Sequence, residues 1–576
     1  MNKRSTMPPP SASHLKRKVG HGFKTEARGM AVLNSPALNK GSAFSAAERS
    51  SLNLTGLLPP EITTLAMQVK RAYLQYERLA DRITKNIYLT ALHDRNEVLF
   101  YRLFSEHLRE MIPIVNDLTV GRAMEQYHHE SRRPRGLYLS INHMDSMGES
   151  FANFGAGADD VDLILATDAE NILGIGDWGI GGIEVSIGKL AIYTAAGGID
   201  PARAIPVMLD VGTNRKELLD DPLYVGNRHP RIRGKQYEAF IDAYISEVHR
   251  VFPNAVLQWD DFAPGSGRRI LSRYRQQVCM FNDDMQGTGA ITLAAAISAI
   301  RVCGTPLRKQ KVVIFGAGTE GTGVADQLCQ SMVRDGLTRA EAVAQFWLVD
   351  RQGLLFSEMP EELPDFQTPY ARPAAEAKQW KRDGESVSLA EVIRRVRPTI
   401  LIGASAASGS FTEPMIREMA AHTERPIIFV LSAPATSAEA SPSELLAWTD
   451  GRGLLATGSA TLPETYKGVT YVIAQTSNAL LYPGLVLGSI LSRARYLSDG
   501  MLAAAASAVS SLVSVRQQGA SLLPQIEDLR GVSVTVAAAV ADAARAEGVA
   551  RAPFDDVASS VQDAMWQPVY RRISAT

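Results

Sequence analysis

Cysteine is scarce. The chain of 576 residues has only Cys279, Cys303 and Cys329, which fit neither a disulfide framework nor a metal-ligand spacing. They suit a reducing compartment, so a cytoplasmic location is expected. Net charge is nearly absent: 60 basic against 61 acidic side chains leave −1. That removes the broad electrostatic case for nucleic acid or an anionic membrane as partner. Uninterrupted apolar runs long enough to cross a bilayer are missing as well, so no membrane partner is expected. The first 28 residues hold Met7-Pro8-Pro9-Pro10 and few acids, without the apolar centre of a secretory signal. They are expected to be a disordered tail; an organelle-targeting segment is the sharper reading.

The content that is present is ordinary for a folded soluble chain, 45% hydrophobic and 21% charged, and the length suits three or four domains. Residues 60–130 read as helical. Ile62, Leu65, Val69, Tyr73, Tyr76 and Leu79 recur at three- and four-residue steps, and Pro113 is expected to close that block, with a loop running on to Gly121. From Arg135 short apolar runs alternate with helical or Gly-rich segments: Gly136–Ile141, Asp162–Thr167, Ala204–Leu209 and Ala255–Trp259. This alternation predicts an α/β domain with a parallel sheet. A second α/β unit begins near Asp283, with strands expected at Val312–Phe315, Phe346–Val349, Thr399–Ile402 and Ile427–Leu431. Ala-rich helices follow Pro483.

The chain is organised around residues 278–288, where Asp283 and Asp284 stand between a buried-strand pattern and the Gly that opens a long Ala-rich helix. Shortly after comes Lys311-Val-Val-Ile-Phe315-Gly316-Ala317-Gly318-Thr319-Glu320-Gly321. Gly316, Gly318 and Gly321 allow a tight turn and close approach of backbone to a pyrophosphate, and the helix that follows offers unpaired N–H groups and a positive dipole end. Asp350, at the tip of the next strand pattern, stands where a ribose-binding carboxylate belongs, although farther along than usual. Its charge favours NAD; the adjacent Arg351 would suit the 2′-phosphate of NADP.

An acidic, metal-capable motif directly before a dinucleotide turn resembles malic enzyme, and the resemblance runs from about residue 29 to 570. Its further matches include Leu33-Asn34-x-Pro36, Gly56-Leu57-Leu58-Pro59-Pro60, Ile112-Pro113-Ile114-Val115 and Thr119-Val120-Gly121. Ile172-Leu173-Gly174-x-Gly176-Asp177, Gly188-Lys189-Leu190, Asp210-Val211-Gly212-Thr213-Asn214, Phe281-Asn282-Asp283-Asp284 and Tyr482-Pro483-Gly484 continue it. The resemblance implies a helical N-terminal domain at 29–134 and a catalytic α/β domain at 135–281 completed by 478–547. It also implies a Rossmann-type NAD(P)-binding domain at 282–477 and an extension at 548–576. Use of Mg²⁺ or Mn²⁺ and assembly as a homodimer or homotetramer are implied too. Such enzymes oxidise the hydroxyl of a 2-hydroxy acid with NAD(P) and release its β-carboxylate as CO₂.

Carried over residue by residue, the resemblance assigns metal ligation to Asp260, Asp261 and Asp284, the first of which the family usually fills with Glu. Lys189 matches the general base and Asp283 its partner carboxylate; Asn478 matches an amide that serves both substrate and nicotinamide. Gly316, Ala317, Gly318, Gly321 and Asp350 form the cofactor turn. The departures gather in the substrate pocket. The family's catalytic Tyr is Asn116, its carboxylate-gripping Arg is Asn171, and the Asn residues expected at two further substrate positions are Ala433 and Ser477. Glu184 adds a charge near Lys189. Arg268, Arg269 or His143 are candidates for the lost cation.

Machinery for hydride transfer and metal binding is thus kept while the carboxylate grip and proton donor are not. This predicts a metal- and NAD(P)-dependent oxidative decarboxylase or dehydrogenase acting on malate or, more pointedly, on a malate-like 2-hydroxy acid. The alternative from another class is a weak or inactive homologue that binds nucleotide and serves as a regulator or scaffold.

Overall fold

The computed structural model describes residues 16–17, 22–116, 124, 127–130, 132–174, 176–359, 363–382, 384, 386–554 and 556–576. Residues 1–15 and 18–21 of the expected tail, and the expected loop after Asn116, lie outside these residues; Phe23–Thr25, also expected to be disordered, is instead a strand paired in parallel with Ile573–Ala575. The chain divides into two compact units. One comprises Met1–Ala263, Val278–Met280 and Gln562–Thr576; the other comprises Pro264–Gln277 and Phe281–Val561. Residues 478–547, which the resemblance attached to the first α/β domain, group with the second unit.

In the first unit four helices follow one another: Leu65–Glu77, Arg82–Arg95, Glu97–Glu106 and Leu108–Val115. Thr64, Asp81 and Asn96 cap the first three by accepting a backbone N–H with their side chains. The apolar stripe is shorter than its spacing suggests, for Val69 and Tyr76 are buried while Ile62 precedes the helix and is 45% exposed. Pro113 does not end the helical block as expected. It lies inside the fourth helix, which continues to Val115 although Pro113 can donate no backbone bond to the preceding turn.

The first unit's sheet is built from β1 (Leu137–Ser140), β2 (Leu163–Thr167), β3 (Ala204–Asp210), β4 (Val256–Trp259) and the edge strand β5 (Met280–Asn282), where the chain passes into the second unit. Its order is β1-β3-β2-β4-β5. The β1–β3, β2–β3 and β2–β4 pairs are parallel. Every residue of β2 and β4 is buried, as the continuous apolar runs require for strands covered on both faces.

The second unit holds a seven-stranded sheet of β6 (Val312–Phe315), β7 (Phe346–Asp350), β8 (Gly353–Leu354), β9 (Ile400–Gly403), β10 (Ile427–Val430), β11 (Leu454–Thr457) and β12 (Ala474–Gln475). The order is β8-β7-β6-β9-β10-β11-β12, parallel except for the short β8 against β7. The chain leaves β6 first towards β7 and then returns to lay β9 on its other side. That reversal is the topological switch point of a doubly wound fold, and ligands bind beyond the carboxyl ends of the strands there. The stretch Asp283–Cys303 has the length and hydropathy of a membrane crossing, but 67% of it is buried within the structure, as befits a core helix.

Candidate active site

In the first unit the helix Ile183–Gly197 presents Lys189, whose ammonium donates to Asp260 Oδ1 at 2.5 Å. The Lys189 side chain is 13% exposed and that of Asp260 is wholly buried. Asp260 stands directly after β4 and its N–H donates to the carbonyl of Ala166 in β2 (3.0 Å), so its place is fixed by the sheet. Asp261 follows with φ of 58°, a left-handed conformation that Asp tolerates better than most residues. Its carbonyl accepts the N–H of Asn171 at 3.0 Å. On the other side of Lys189, a Cβ on Gly188 would lie 2.4 Å from the carbonyl oxygen of Val115 and 3.2 Å from Asn116 Cβ. Glycine therefore lets the end of the helix Leu108–Val115 lie against the turn that carries Lys189, with Asn116 in contact. Asn116 Oδ1 is buried without a hydrogen-bond partner among the described residues. Asn116, Lys189, Asp260, Asp261 and Asn171 thus form one contiguous group within this unit.

The Gly-rich loop that bears Asn171 is held from beneath by Arg231. Its guanidinium donates to both carboxylate oxygens of Asp177 (2.7 and 2.9 Å) and to the backbone carbonyl of Asp168 (2.7 Å). Asp168 is fully buried and accepts from Tyr237 Oη at 2.8 Å. Burial pushes its carboxyl up to about 6, against the pull of Arg231. For Asp177 burial acts the same way, but the hydrogen bonds and charge of Arg231 prevail and hold the carboxyl below its usual value. Nothing in the sequence singled out Arg231. Glu184, expected as a loose charge near Lys189, is paired with Arg132 at 2.9 Å.

In the second unit Asp283 and Asp284 open a single π-helical turn, Asp283–Gly287, that feeds the helix Thr288–Cys303. Asn478 Nδ2 donates to Asp283 Oδ1 at 3.0 Å, and Tyr482 Oη donates to the Asp283 carbonyl at 2.8 Å. Asn478 and Asp283 are therefore brought together within one unit, a pairing not expected from the sequence, in which Asp283 stands as the partner carboxylate of Lys189. Ser477 caps the short turn Asn478–Leu480, and Ala433 follows Ser432 just beyond the end of β10, joined to Pro434 by a cis peptide bond. The two arginines suggested as replacement cations are otherwise engaged: Arg268 donates to Asp326 (3.1 Å) and Thr322 (3.3 Å), and Arg269 to Ser266 (3.2 Å).

The dinucleotide turn needs its first and third glycines for close packing. Gly316 has φ of 102°, and a Cβ on it would lie 2.2 Å from the carbonyl oxygen of Ala404; on Gly321 it would lie 1.9 Å from that of Gly316. At Gly318, which caps the helix Thr319–Arg334, a Cβ would meet nothing within 4 Å. The first and third glycines are thus needed for packing, and the second leaves open space at a helix N-terminus, where a pyrophosphate fits. Asp350 ends β7 as predicted. Gln367, which no motif singles out, donates from Nε2 to the Ala317 carbonyl (2.9 Å) and to Asp350 Oδ2 (3.3 Å), tying the turn to the end of β7.

A turn of this construction at the switch point of a doubly wound sheet places the chain among dinucleotide-binding enzymes. Comparison with known proteins narrows the class. Residues 93–275 match the model of the malic enzyme N-terminal domain and residues 285–545 that of the malic enzyme NAD binding domain. The chain is 54% identical to NAD-dependent malic enzyme 3 of Bacillus subtilis, over 96% of this chain and 98% of that protein. It is 46% identical to the NAD-dependent malic enzyme of Sodalis glossinidius, over 94% and 96%. Among solved structures, malic enzyme from Entamoeba histolytica aligns over 91% of each chain with a TM-score of 0.55 at 20% identity, which supports the shared fold. The chain belongs to the malic enzyme family.

Proposed function

We propose that this chain oxidises and decarboxylates a malate-like 2-hydroxy acid whose substituents differ from those of malate. That it is an NAD-dependent, decarboxylating oxidoreductase follows from its family; the changed substrate is the reading advanced here. The observation that carries it is the contiguity of Asn116, Lys189, Asp260, Asp261 and Asn171. Of the two positions that depart from the family pattern, Asn116 lies against Gly188, next to Lys189, and Asn171 bonds through its N–H to the carbonyl of Asp261, next to Asp260.

Asp260, Asp261 and Asp284 are the proposed ligands of Mg²⁺ or Mn²⁺, and carboxylates are the hard oxygen donors such ions take. When bound, NAD supplies the hydride acceptor and the ion polarises the substrate's oxygen. The chain's own residues do the rest. Lys189 Nζ is placed to hold the proton of the substrate hydroxyl, with Asp260 fixing its position. Asn478, anchored on Asp283, orients the substrate or nicotinamide amide. Asn171 offers a neutral amide in place of a guanidinium. The exchange costs malate roughly 2–4 kcal/mol if charge-assisted hydrogen bonds set the scale, which leaves room for a substrate carrying a neutral, hydrogen-bonding substituent at that end. We expect the protein to work in the cytoplasm as a homodimer or homotetramer, an assembly that light scattering would measure.

The test is NADH appearance with purified protein, Mn²⁺ and NAD, on L-malate and on a panel of β-substituted 2-hydroxy acids, with the keto product assayed in parallel. The expected result is a substituted acid with kcat/KM at least tenfold above that of malate. Malate as the best of the panel, with stoichiometric pyruvate, would reject the changed substrate.

A further inference from the structure

We infer that Glu439 is a positioning residue for the nicotinamide half of the bound dinucleotide, a role that rests on NAD binding at the Gly316–Gly321 turn. Glu439 belongs to no motif that the sequence reading used. It lies after β10 and its side chain is wholly buried. One oxygen, Oε1, accepts three hydrogen bonds: from the Ser405 N–H at 2.8 Å, from Ser405 Oγ at 2.7 Å and from Ser432 Oγ at 2.6 Å. Ser432 Oγ in turn accepts the N–H of Ala406 at 2.9 Å. A single carboxylate oxygen thus ties together the loops that leave the carboxyl ends of β9 and β10.

Three features indicate that this arrangement is built for a purpose beyond packing. Gly403 closes β9, and a Cβ there would lie 2.6 Å from Glu439 Cδ, so the strand end is kept bare to admit the carboxylate. Ala406 holds a φ of 54°, a left-handed conformation that alanine adopts only when its surroundings impose it. The bond from its N–H to Ser432 is part of what imposes it. Finally, the loop that Glu439 fixes is the one on which the dinucleotide turn rests, since the Gly316 Cβ position falls 2.2 Å from the Ala404 carbonyl oxygen.

The switch-point geometry says which half of the cofactor is concerned. A dinucleotide laid across the crevice of a doubly wound sheet places one nucleoside over each side of the reversal. Asp350 at the tip of β7 marks the adenosine side. The β9 and β10 ends, with Ser405, Ala406 and Ser432, therefore face the nicotinamide nucleoside. The Glu439 charge is also felt at the turn: burial pushes the Glu320 carboxyl up to about 7, and Glu439 adds to the rise.

Two ligands separate the halves: NAD⁺ carries both nucleosides, whereas ADP-ribose lacks the nicotinamide. Their dissociation constants would be measured by titration calorimetry for the full-length wild type and for Glu439→Ala, Glu439→Gln and Ser432→Ala. Glu439→Ala is expected to weaken NAD⁺ at least tenfold and ADP-ribose, which shares only the turn, by no more than about threefold. Glu439→Gln, whose amide oxygen can accept the same three bonds, should recover most of the loss. Ser432→Ala, a milder change that keeps the test open if Glu439→Ala does not fold, should weaken NAD⁺ about three- to tenfold and spare ADP-ribose. Equal losses for both ligands would overturn the assignment, because a general scaffold role predicts them, and so would unchanged NAD⁺ affinity. A wild type that binds neither ligand would overturn the cofactor reading itself, and this inference with it.

Discussion

Lys189 donates to Asp260 at 2.5 Å, and the acceptor has no exposed surface while the donor has little. A pair so withdrawn from water is held at a desolvation cost, and removing one member leaves the other charge in a poor medium. Lys189→Met should therefore lower stability in metal-free buffer by about 3 kcal/mol and abolish turnover. Lys189→Met combined with Asp260→Leu should regain most of that stability and none of the activity. Urea midpoints of the three proteins in EDTA, beside activity with Mn²⁺, check this; a single variant as stable as the double would contradict it.

Asn171→Arg tests the pocket from the other direction. A guanidinium there would offer a carboxylate two parallel charge-assisted bonds. L-malate kcat/KM should rise roughly ten- to several-hundredfold, in line with about 2–4 kcal/mol for such bonds, and any preference for a substituted acid should fall. No gain on malate would show that the departure at residue 171 does not set the substrate.

At the glycine turn, Asp350 is our proposed acid against a 2′-phosphate, and Gln367 donates to its Oδ2 at 3.3 Å. Asp350→Ser leaves Arg351 beside the ribose position and removes the opposing charge. The ratio of kcat/KM for NADP⁺ to that for NAD⁺ should rise about 10- to 100-fold, which corresponds to roughly 1.4–2.7 kcal/mol. A ratio unmoved by the substitution would place cofactor choice elsewhere.

Much of this was legible because apolar runs report buried parallel strands directly. Val312–Phe315 matches its strand residue for residue, and the other early strands differ by one or two positions at their ends. Strand β12 went unread because Ala474–Gln475 is too short to stand out among turns, and β11 because Leu454–Thr457, though as long as β6, ends in Ala and Thr rather than in further large apolar residues. Pro113 misled because a proline inside a helix removes one backbone bond without always ending the helix there. The candidate site residues could be read from motifs, whereas Arg231, Gln367 and Glu439 act through side-chain bonds to residues far away in the chain. Arg231 reaches Asp177, Gln367 reaches Ala317, and Glu439 reaches Ser405. Only folding brings such partners together, and no spacing records them.

Asp168 gives a pH dependence opposite in sign to that of a paired surface acid. Burial raises its carboxyl in the folded protein to about 6, above the ordinary Asp value of 3.8. Below about pH 4 it is protonated in both states, and its contribution to stability is complete. Between there and pH 6 the unfolded chain gives up the proton while the folded one keeps it, so stability declines as pH rises, and above about 7 no further change comes from this group. Asp168→Asn cannot ionise and keeps an acceptor for Tyr237. The stability of wild type relative to this variant should therefore fall by about 2 kcal/mol between pH 4.5 and 7. Urea unfolding of both proteins at the two pH values measures that difference, and taking it against the variant cancels every other titrating group. A difference that rises with pH would mean that Arg231 outweighs burial at Asp168, as it does at Asp177, and that the loop bearing Asn171 rests on two ionised carboxylates rather than one.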